Sequence, residues 1–348
     1  KLVEIMNAAQ GRGPGGGAKL ASLYKDGNKE EGNEVFGETE VPEEARKQGE
    51  QINAERPAAM DTVREMMAWI RPAIAAPEEP TGAAPGHGAN GDQGSGDWVD
   101  KMCTWARFEA GLQRTAPRKG VGCDGWNAYL LRRAPEATRK RYWRAMQQAI
   151  RTHDFPEEWQ EKVAMLFMKP GEDPSDLSRR RDIWLECHGH KVAMWMLGAE
   201  YERAMEAAIP LSQAGNEHGR GCAEQTLAMR CQKEQCAAER TMCCRAYLDL
   251  GVFFMSCLRE VQWETEKWCG VRPAVTNAVQ ALYEGVKGKY ETAYGLTGPF
   301  AMPRGNIQGC SQSPGRSKLQ LSIMQGAVRK LCKGFKFRGA HQRTPQLW

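Results

Sequence analysis

Residues 245–256 read RAYLDLGVFFMS, and the fold assignment turns on them. Tyr247, Leu248, Leu250, Val252, Phe253 and Phe254 are aromatic or aliphatic residues with strand preference, so the run predicts a strand. It is too short to cross a bilayer. The run carries one carboxylate, Asp249, which is costly to bury unless a cation, a proton or hydrogen-bond donors compensate it. Two readings stay open: an Asp at a strand end accepting local backbone N–H groups, or an oxygen ligand for a hard divalent cation.

A second segment bears on that choice. Residues 304–314 read RGNIQGCSQSP, in which two glycines enclose Asn306, Ile307 and Gln308 before Ser313-Pro314 opens a helical pattern with Leu319, Ile323, Ala327 and Leu331 on one face. A glycine-rich turn lets backbone approach a ligand closely, and Gln308 offers both a donor and an acceptor. Further upstream come KGVGCDGW at 119–126, KPGEDPSDLSRRRDIWL at 169–185 and QAGNEHGRGCAEQ at 213–225. These segments, in this order, resemble the reverse-transcriptase domain of non-LTR, LINE-type retrotransposons. YLDLGVFF stands for palm motif A and RGNIQGCSQSP for motif B, while the upstream segments are similar to "KAPGPDGI", "KPGKDPSDPSNYRPISL" and "QAGFRPGRGCADQ".

The resemblance spans residues 120–335 and implies an α+β fold: right-hand polymerase fingers and a partial palm, behind a disordered N-terminal region. The implied division is a low-complexity linker with one short helix (1–97), fingers and the start of the palm (98–240), partial palm (241–335) and a loose tail (336–348). RNA-templated DNA synthesis transfers a nucleotidyl group, and Mg²⁺ ions stabilise the entering and leaving oxygens. By resemblance, Asp249 binds metal through its side chain and Leu250 through its backbone carbonyl. Phe254 closes under the sugar, Gln308 and Gly309 line the nucleotide pocket, and Lys169 and Arg181 hold the triphosphate, where a guanidinium suits phosphate oxygens. Implied partners are an RNA template, a DNA primer and dNTP, with the nucleus or cytoplasm as the place of action.

Departures from the family pattern are equally legible. The family's second carboxylate pair, Tyr/Phe-x-Asp-Asp, follows motif B, yet no such pair occurs in residues 315–348. Met255 stands where motif A usually carries a further Asp, Asp182 replaces the Pro after the fingers Arg, and Asn216-Glu217 replaces Phe-Arg. The expectation is a fragment lacking motif C and thumb, inactive as a polymerase by itself. The alternatives are a non-catalytic module binding RNA or an RNA–DNA hybrid, and a retroelement relic without function.

Composition sets outer bounds. The 348 residues are 41% hydrophobic and 26% charged, enough for one sizeable core or two modest ones, and a net charge of +5 permits nucleic-acid binding without arguing for it. Twelve cysteines occur without a CxxC pair. Cys187-His188-Gly189-His190 and Cys231 with Cys236 lack the paired clusters of a structural zinc site, so buried free thiols and a reducing, intracellular compartment are expected. No run is long and apolar enough to span a membrane. Residues 1–56 and 75–97 read as loose chain, rich in Gly, Pro and charge. Between them a helix is predicted, with Thr62 and Glu65 at capping-box spacing and Val63, Met66, Met67 and Ile70 on one face. Arg139, Lys140, Arg141 and Arg144 form a basic helix flank, read as solvated face or phosphate contact. Residues 163–168 (VAMLFM) read as a strand, 191–208 and 223–244 as helices with packed cysteines in the latter, and 290–294 with 299–303 as a hairpin.

Overall fold

The computed structural model describes residues 20, 22–27, 29, 34–54, 60–70, 97–114, 120–209, 213–215, 219–243, 245, 247, 250 and 253–331. In chain order its elements are strands β1 (Ser22–Tyr24) and β2 (Glu34–Phe36) and helices α1 (Glu40–Ile52), α2 (Met60–Ile70), α3 (Asp97–Met102), α4 (Trp105–Gln113), α5 (Ala128–Arg133) and α6 (Glu136–Thr152). Next come β3 (Glu161–Met168), β4 (Arg180–Leu185), α7 (His188–Ala208), α8 (Cys222–Glu239), α9 (Phe253–Ser256), α10 (Arg259–Trp268) and α11 (Pro273–Tyr283). Strands β5 (Lys287–Thr292), β6 (Gly295–Leu296) and β7 (Phe300–Ala301) precede the last helix, α12 (Ser313–Leu331). The fold is mixed α+β. It divides into two compact units, Lys1–Arg56 with Ser95–Leu197 and Asn277–Ser313, and Pro57–Gly94 with Gly198–Thr276 and Pro314–Trp348.

The first unit is built on a five-stranded sheet in which β3 is flanked on both sides. It runs antiparallel to β4, from Val163 opposite Leu185 to Met168 opposite Arg180, and parallel to β5, from Glu161 opposite Lys287 to Ala164 opposite Tyr290. A strand paired on both edges has a near-continuous apolar sequence, and VAMLFM supplies it. The core beside it holds Trp184, Tyr290 and Phe300, with Tyr290 and Phe300 ring centroids 4.9 Å apart. Helix α1 lies on this aromatic group: a Cβ at Gly49 would meet Tyr290 at 2.7 Å, so only glycine permits the approach. An antiparallel hairpin does form in the expected region, but in another register: the turn falls at Ala293-Tyr294, Gly295–Leu296 pair with Thr292 and Glu291 as β6, and Phe300–Ala301 pair with Gly288 and Lys287 rather than with 290–294.

Part of the N-terminal segment read as loose chain is thus structured. Strands β1 and β2 form a hairpin, and α1 buries Val41, Ala45 and Gln48 despite the density of charge around them. Its charges pair along the exposed face, Arg46 bonding both Glu43 and Glu50, so the helix keeps an apolar stripe within a polar sequence. Residues 1–19, the linker at 71–96 and the tail at 332–348 lie outside the described residues.

The described elements of the second unit are helical. Met67 and Ile323 are buried together, packed by Val63 and Ala327, which places the predicted faces of α2 and α12 against each other. A buried polar group accompanies them. Arg316 Nε donates to Glu266 Oε1 at 2.7 Å, Tyr201 donates to Glu266 Oε2 at 3.0 Å, and Gln262 bridges Glu266 and the Arg316 carbonyl at 3.1 and 2.9 Å.

Two readings are corrected here. Phe253–Ser256 is helical, not strand: Ser256 Oγ bonds the Phe253 carbonyl at 3.0 Å, and no described residue of 245–256 enters a ladder. Strand preference needs a partner, and every described strand belongs to the other unit. Helix α8 also differs from expectation. Cys222 and Cys231 in it and Cys243 beyond it are exposed, and Cys236 is its buried residue.

Candidate functional site

The candidate site lies in the first unit, along the β3–β4 hairpin and the turn that docks on it. Trp184 in β4 donates its backbone N–H to the Gln308 carbonyl at 2.8 Å. Gly309 sits at φ +132°, and a Cβ there would fall 2.4 Å from the Trp184 carbonyl oxygen. Glycine at 309 is therefore required by close backbone approach and left-handed geometry alone. The contact fixes Gln308, half-buried, beside the strand that begins with Arg180 and Arg181.

The basic run at the hairpin divides its labour. Arg180 is buried and its Nε donates to the Pro174 carbonyl at 3.0 Å, closing the polar turn. Arg179 faces Glu172 and Asp176 at 3.7 and 3.9 Å. Arg181 pairs with Phe167 in the ladder and is exposed, and alternation puts it on the face opposite Trp184. Lys169 follows β3, half-buried, close enough to oppose the effect of burial on Asp182. Burial pushes the Asp182 carboxyl up, while a 2.6 Å hydrogen bond from Trp184 Nε1 pulls it back. The two triphosphate candidates and the two pocket candidates, Lys169, Arg181, Gln308 and Gly309, thus share one hairpin and its docked turn.

The polar turn is itself covered. Tyr24 in β1 donates its N–H to the Ser175 carbonyl at 3.2 Å and its hydroxyl to Asp173 at 2.9 Å, Ser175 Oγ donates to Glu34 at 2.5 Å, and Lys29 pairs with Asp176 at 2.6 Å. The Ser175 and Ser22 hydroxyls hold the Glu34 carboxyl below its usual range, and the bond to Asp173 raises the Tyr24 phenol. The turn is thus stitched to the N-terminal hairpin. The basic flank of α6 is also partly engaged: Arg139 pairs with Glu109 at 3.3 Å and Lys140 with Glu136 at 2.6 Å, leaving Arg141 and Arg144 exposed.

The remaining candidates are elsewhere. Asp249 lies outside the described residues. Leu250 is exposed and Phe254 half-buried in α9, both in the second unit. A group of metal-ligating side chains does occur among the described residues, namely Glu186, His190 and Cys310. Imidazole and thiol are softer donors than the carboxylate and carbonyl oxygens that suit Mg²⁺. This group is a different set of donors from the Mg²⁺ ligands that the resemblance implies, of which Asp249 lies outside the described residues.

That buried group escaped the sequence reading because its members are scattered. Glu186 follows β4, His190 is in the first turn of α7, and Cys310 comes from the Gln308 turn. Lys162, fully buried in β3, donates to the Trp159 carbonyl and stands 3.1 Å from His190 Nδ1. His190 Nε2 is 3.2 Å from Glu186 Oε1. Burial raises the Glu186 carboxyl and lowers the Lys162 amine, each partly opposed by the other's charge. Alongside, the KGVGCDGW segment packs down tightly: a Cβ at Gly122 would sit 2.5 Å from the Cys187 nitrogen, and the Cys123 and Cys187 sulfurs are 3.3 Å apart. The available signal was CHGH at 187–190, which contributes His190 but lacks the paired clusters of a structural zinc site; the other two members are Glu186 beside it and Cys310 in a distant turn.

No protein-family model matches this chain, and comparison with curated proteins gives no match. No helix among the described residues is long and apolar enough to cross a membrane.

Proposed function

We propose that this chain carries the fingers and partial palm of a reverse transcriptase of the non-LTR type, and that it binds phosphate without polymerising unaided. The supporting observation is the 2.8 Å bond from the Trp184 N–H to the Gln308 carbonyl, which joins two segments read as parts of one nucleotide site. On this reading Arg181, exposed on β4, and Lys169, at the end of β3, make charge-assisted hydrogen bonds to the oxygens of a dNTP. Gln308 then meets the base or sugar through its amide. Mg²⁺ would supply charge neutralisation at the transferring phosphate, with Asp249 and the Leu250 carbonyl as the proposed ligands. RNA template and DNA primer are the proposed macromolecular partners, in the nucleus or cytoplasm.

The test is equilibrium binding of a fluorescent dNTP analogue and of a labelled RNA–DNA hybrid at low salt. The expected result is binding that weakens with salt and falls about tenfold or more in the Lys169→Ala/Arg181→Ala double variant. Binding untouched by the double variant, or none at low salt, overturns the proposal. Primer extension with Mg²⁺ is expected to give no product, and a product from this polypeptide alone would contradict the non-polymerising half. The reading as an RNA or hybrid binder without nucleotide specificity is supported if the hybrid binds and the dNTP analogue does not.

A further inference from the structure

The simplest account of the buried Glu186 group is a purely structural charge network. A lysine, a histidine and a carboxylate in line can share protons and neutralise one another, and many buried ion pairs do no more than that. Two features do not fit that account. Glu186 is fully buried, yet its carboxylate has only the Cys310 thiol, a weak donor, and His190 Nε2 at 3.2 Å in poor alignment as close partners, and neither oxygen accepts a hydrogen bond of good geometry among the described residues. A network meant only to bury charge would turn the carboxylate into its donors, since an unsatisfied buried carboxylate is costly. The second feature is Cys310, a buried sulfur brought to the same point by the Gln308 turn.

We propose that Glu186, His190 and Cys310 form a binding site for a borderline-soft divalent ion, Zn²⁺ above all, which staples the Gln308 turn to the end of β4 and the start of α7. Their donor atoms all lie within 4.8 Å of one another. Tetrahedral zinc with Zn–S near 2.3 Å and Zn–N near 2.0–2.1 Å separates its ligands by about 3.3–3.8 Å, so closing on the ion needs rotamer shifts of about 1 Å. One carboxylate, one imidazole and one thiolate are donors that zinc accepts together, and an oxygen-preferring ion would not choose the sulfur. Lys162 lies 3.1 Å from the Nδ1 side of the His190 ring, and Nε2 faces Glu186 at 3.2 Å, so the ring edge that carries Nε2 is the one turned to the group. Lys162 in turn is held by the Trp159 carbonyl. Three protein ligands leave a fourth coordination position for water or another donor. This inference does not depend on the nucleotide-binding proposal, since it concerns a separate set of side chains.

The experiment uses the full chain with Cys222, Cys231 and Cys243, the exposed cysteines among the described residues, changed to Ser to lower the background from other thiols. After stripping with a chelator, the protein is dialysed against Zn²⁺ or Co²⁺. One ion per chain by elemental analysis, a thiolate-to-Co²⁺ charge-transfer band and a zinc-dependent rise in melting temperature are expected. Cys310→Ser should remove the band and weaken binding at least about tenfold. Cys123→Ser should leave the band intact. Because Cys310→Ser could fail to fold, Glu186→Gln, which keeps size and shape, serves as the second variant and should also lose affinity at least about tenfold. Absence of ion retention by the folded chain, or retention unchanged in both variants, overturns the site.

Discussion

Each unit of this protein buries ionisable side chains, and the two surround them differently. In the helical unit, Glu266 receives Arg316, Tyr201 and Gln262, and the Arg316 guanidinium lies 4.8 Å from the centre of the Trp263 ring. In the sheet unit, Glu186 has Lys162, His190 and the Cys310 thiol near it but no hydrogen bond of good geometry to either oxygen among the described residues. Both Glu266 oxygens accept well-formed hydrogen bonds, whereas those of Glu186 keep acceptor capacity in hand. Burial alone therefore does not tell the two carboxylates apart; the degree to which each is satisfied does.

The largest expected effect tests the Glu266 arrangement. Arg316→Met strands Glu266 without its cation and should cost about 3–5 kcal/mol by urea denaturation, as breaking a buried pair does. A second substitution, Glu266→Gln, in the same chain should recover part of that loss. The paired glutamine variants sharpen the contrast further. With chelator present, Glu266→Gln should cost about 1.5–3 kcal/mol through weakened charged hydrogen bonds, whereas Glu186→Gln should be near neutral. Equal losses would show that the two carboxylates are held alike.

Much of this architecture could be read from the chain before any coordinates. VAMLFM announces a central strand, the Val63 and Met67 spacing announces α2, and Leu319, Ile323 and Ala327 announce α12, because each pattern is set by its own periodicity. The end of the stretch at 245–256 misled for a physical reason: strand preference is satisfied only by a neighbouring strand, and Phe253–Ser256 closes a helical turn instead. The β1–β2 hairpin and α1 were hidden by the opposite error, charge on the outward face masking a modest apolar stripe. In the candidate site, Lys169, Arg181, Gln308 and Gly309 were legible through resemblance. The Glu186 group was not, since ligands from three separate segments leave no spacing to recognise.

Smaller effects probe the docked turn. Gly309→Ala should cost about 1–3 kcal/mol, because the left-handed backbone is strained by a side chain and the new Cβ meets the Trp184 carbonyl. Loss of the Gln308 contact should follow, seen as faster amide exchange at Trp184. The smallest change concerns Asp182. Its carboxyl is raised by burial, so whatever favours its protonated form in the fold is fully present below the ordinary value near 3.8 and is lost as pH rises through the raised value. Asp182→Asn, which keeps an acceptor for Trp184, should therefore gain stability over the parent at neutral pH, and the gain should vanish toward pH 3. A denaturation series from pH 3 to 7 reads the difference directly.

The parallel register of β3 with β5 has a consequence for biosynthesis. Residues 161–164 find their partners only when 287–290 have been made, so the hairpin emerges from the ribosome long before its second neighbour. Contacts of such high order fold slowly, and through that delay one apolar edge stays open to other nascent chains. Yield in a cell is then governed by how well chaperones shield VAMLFM during translation, a kinetic hazard that the finished sheet conceals.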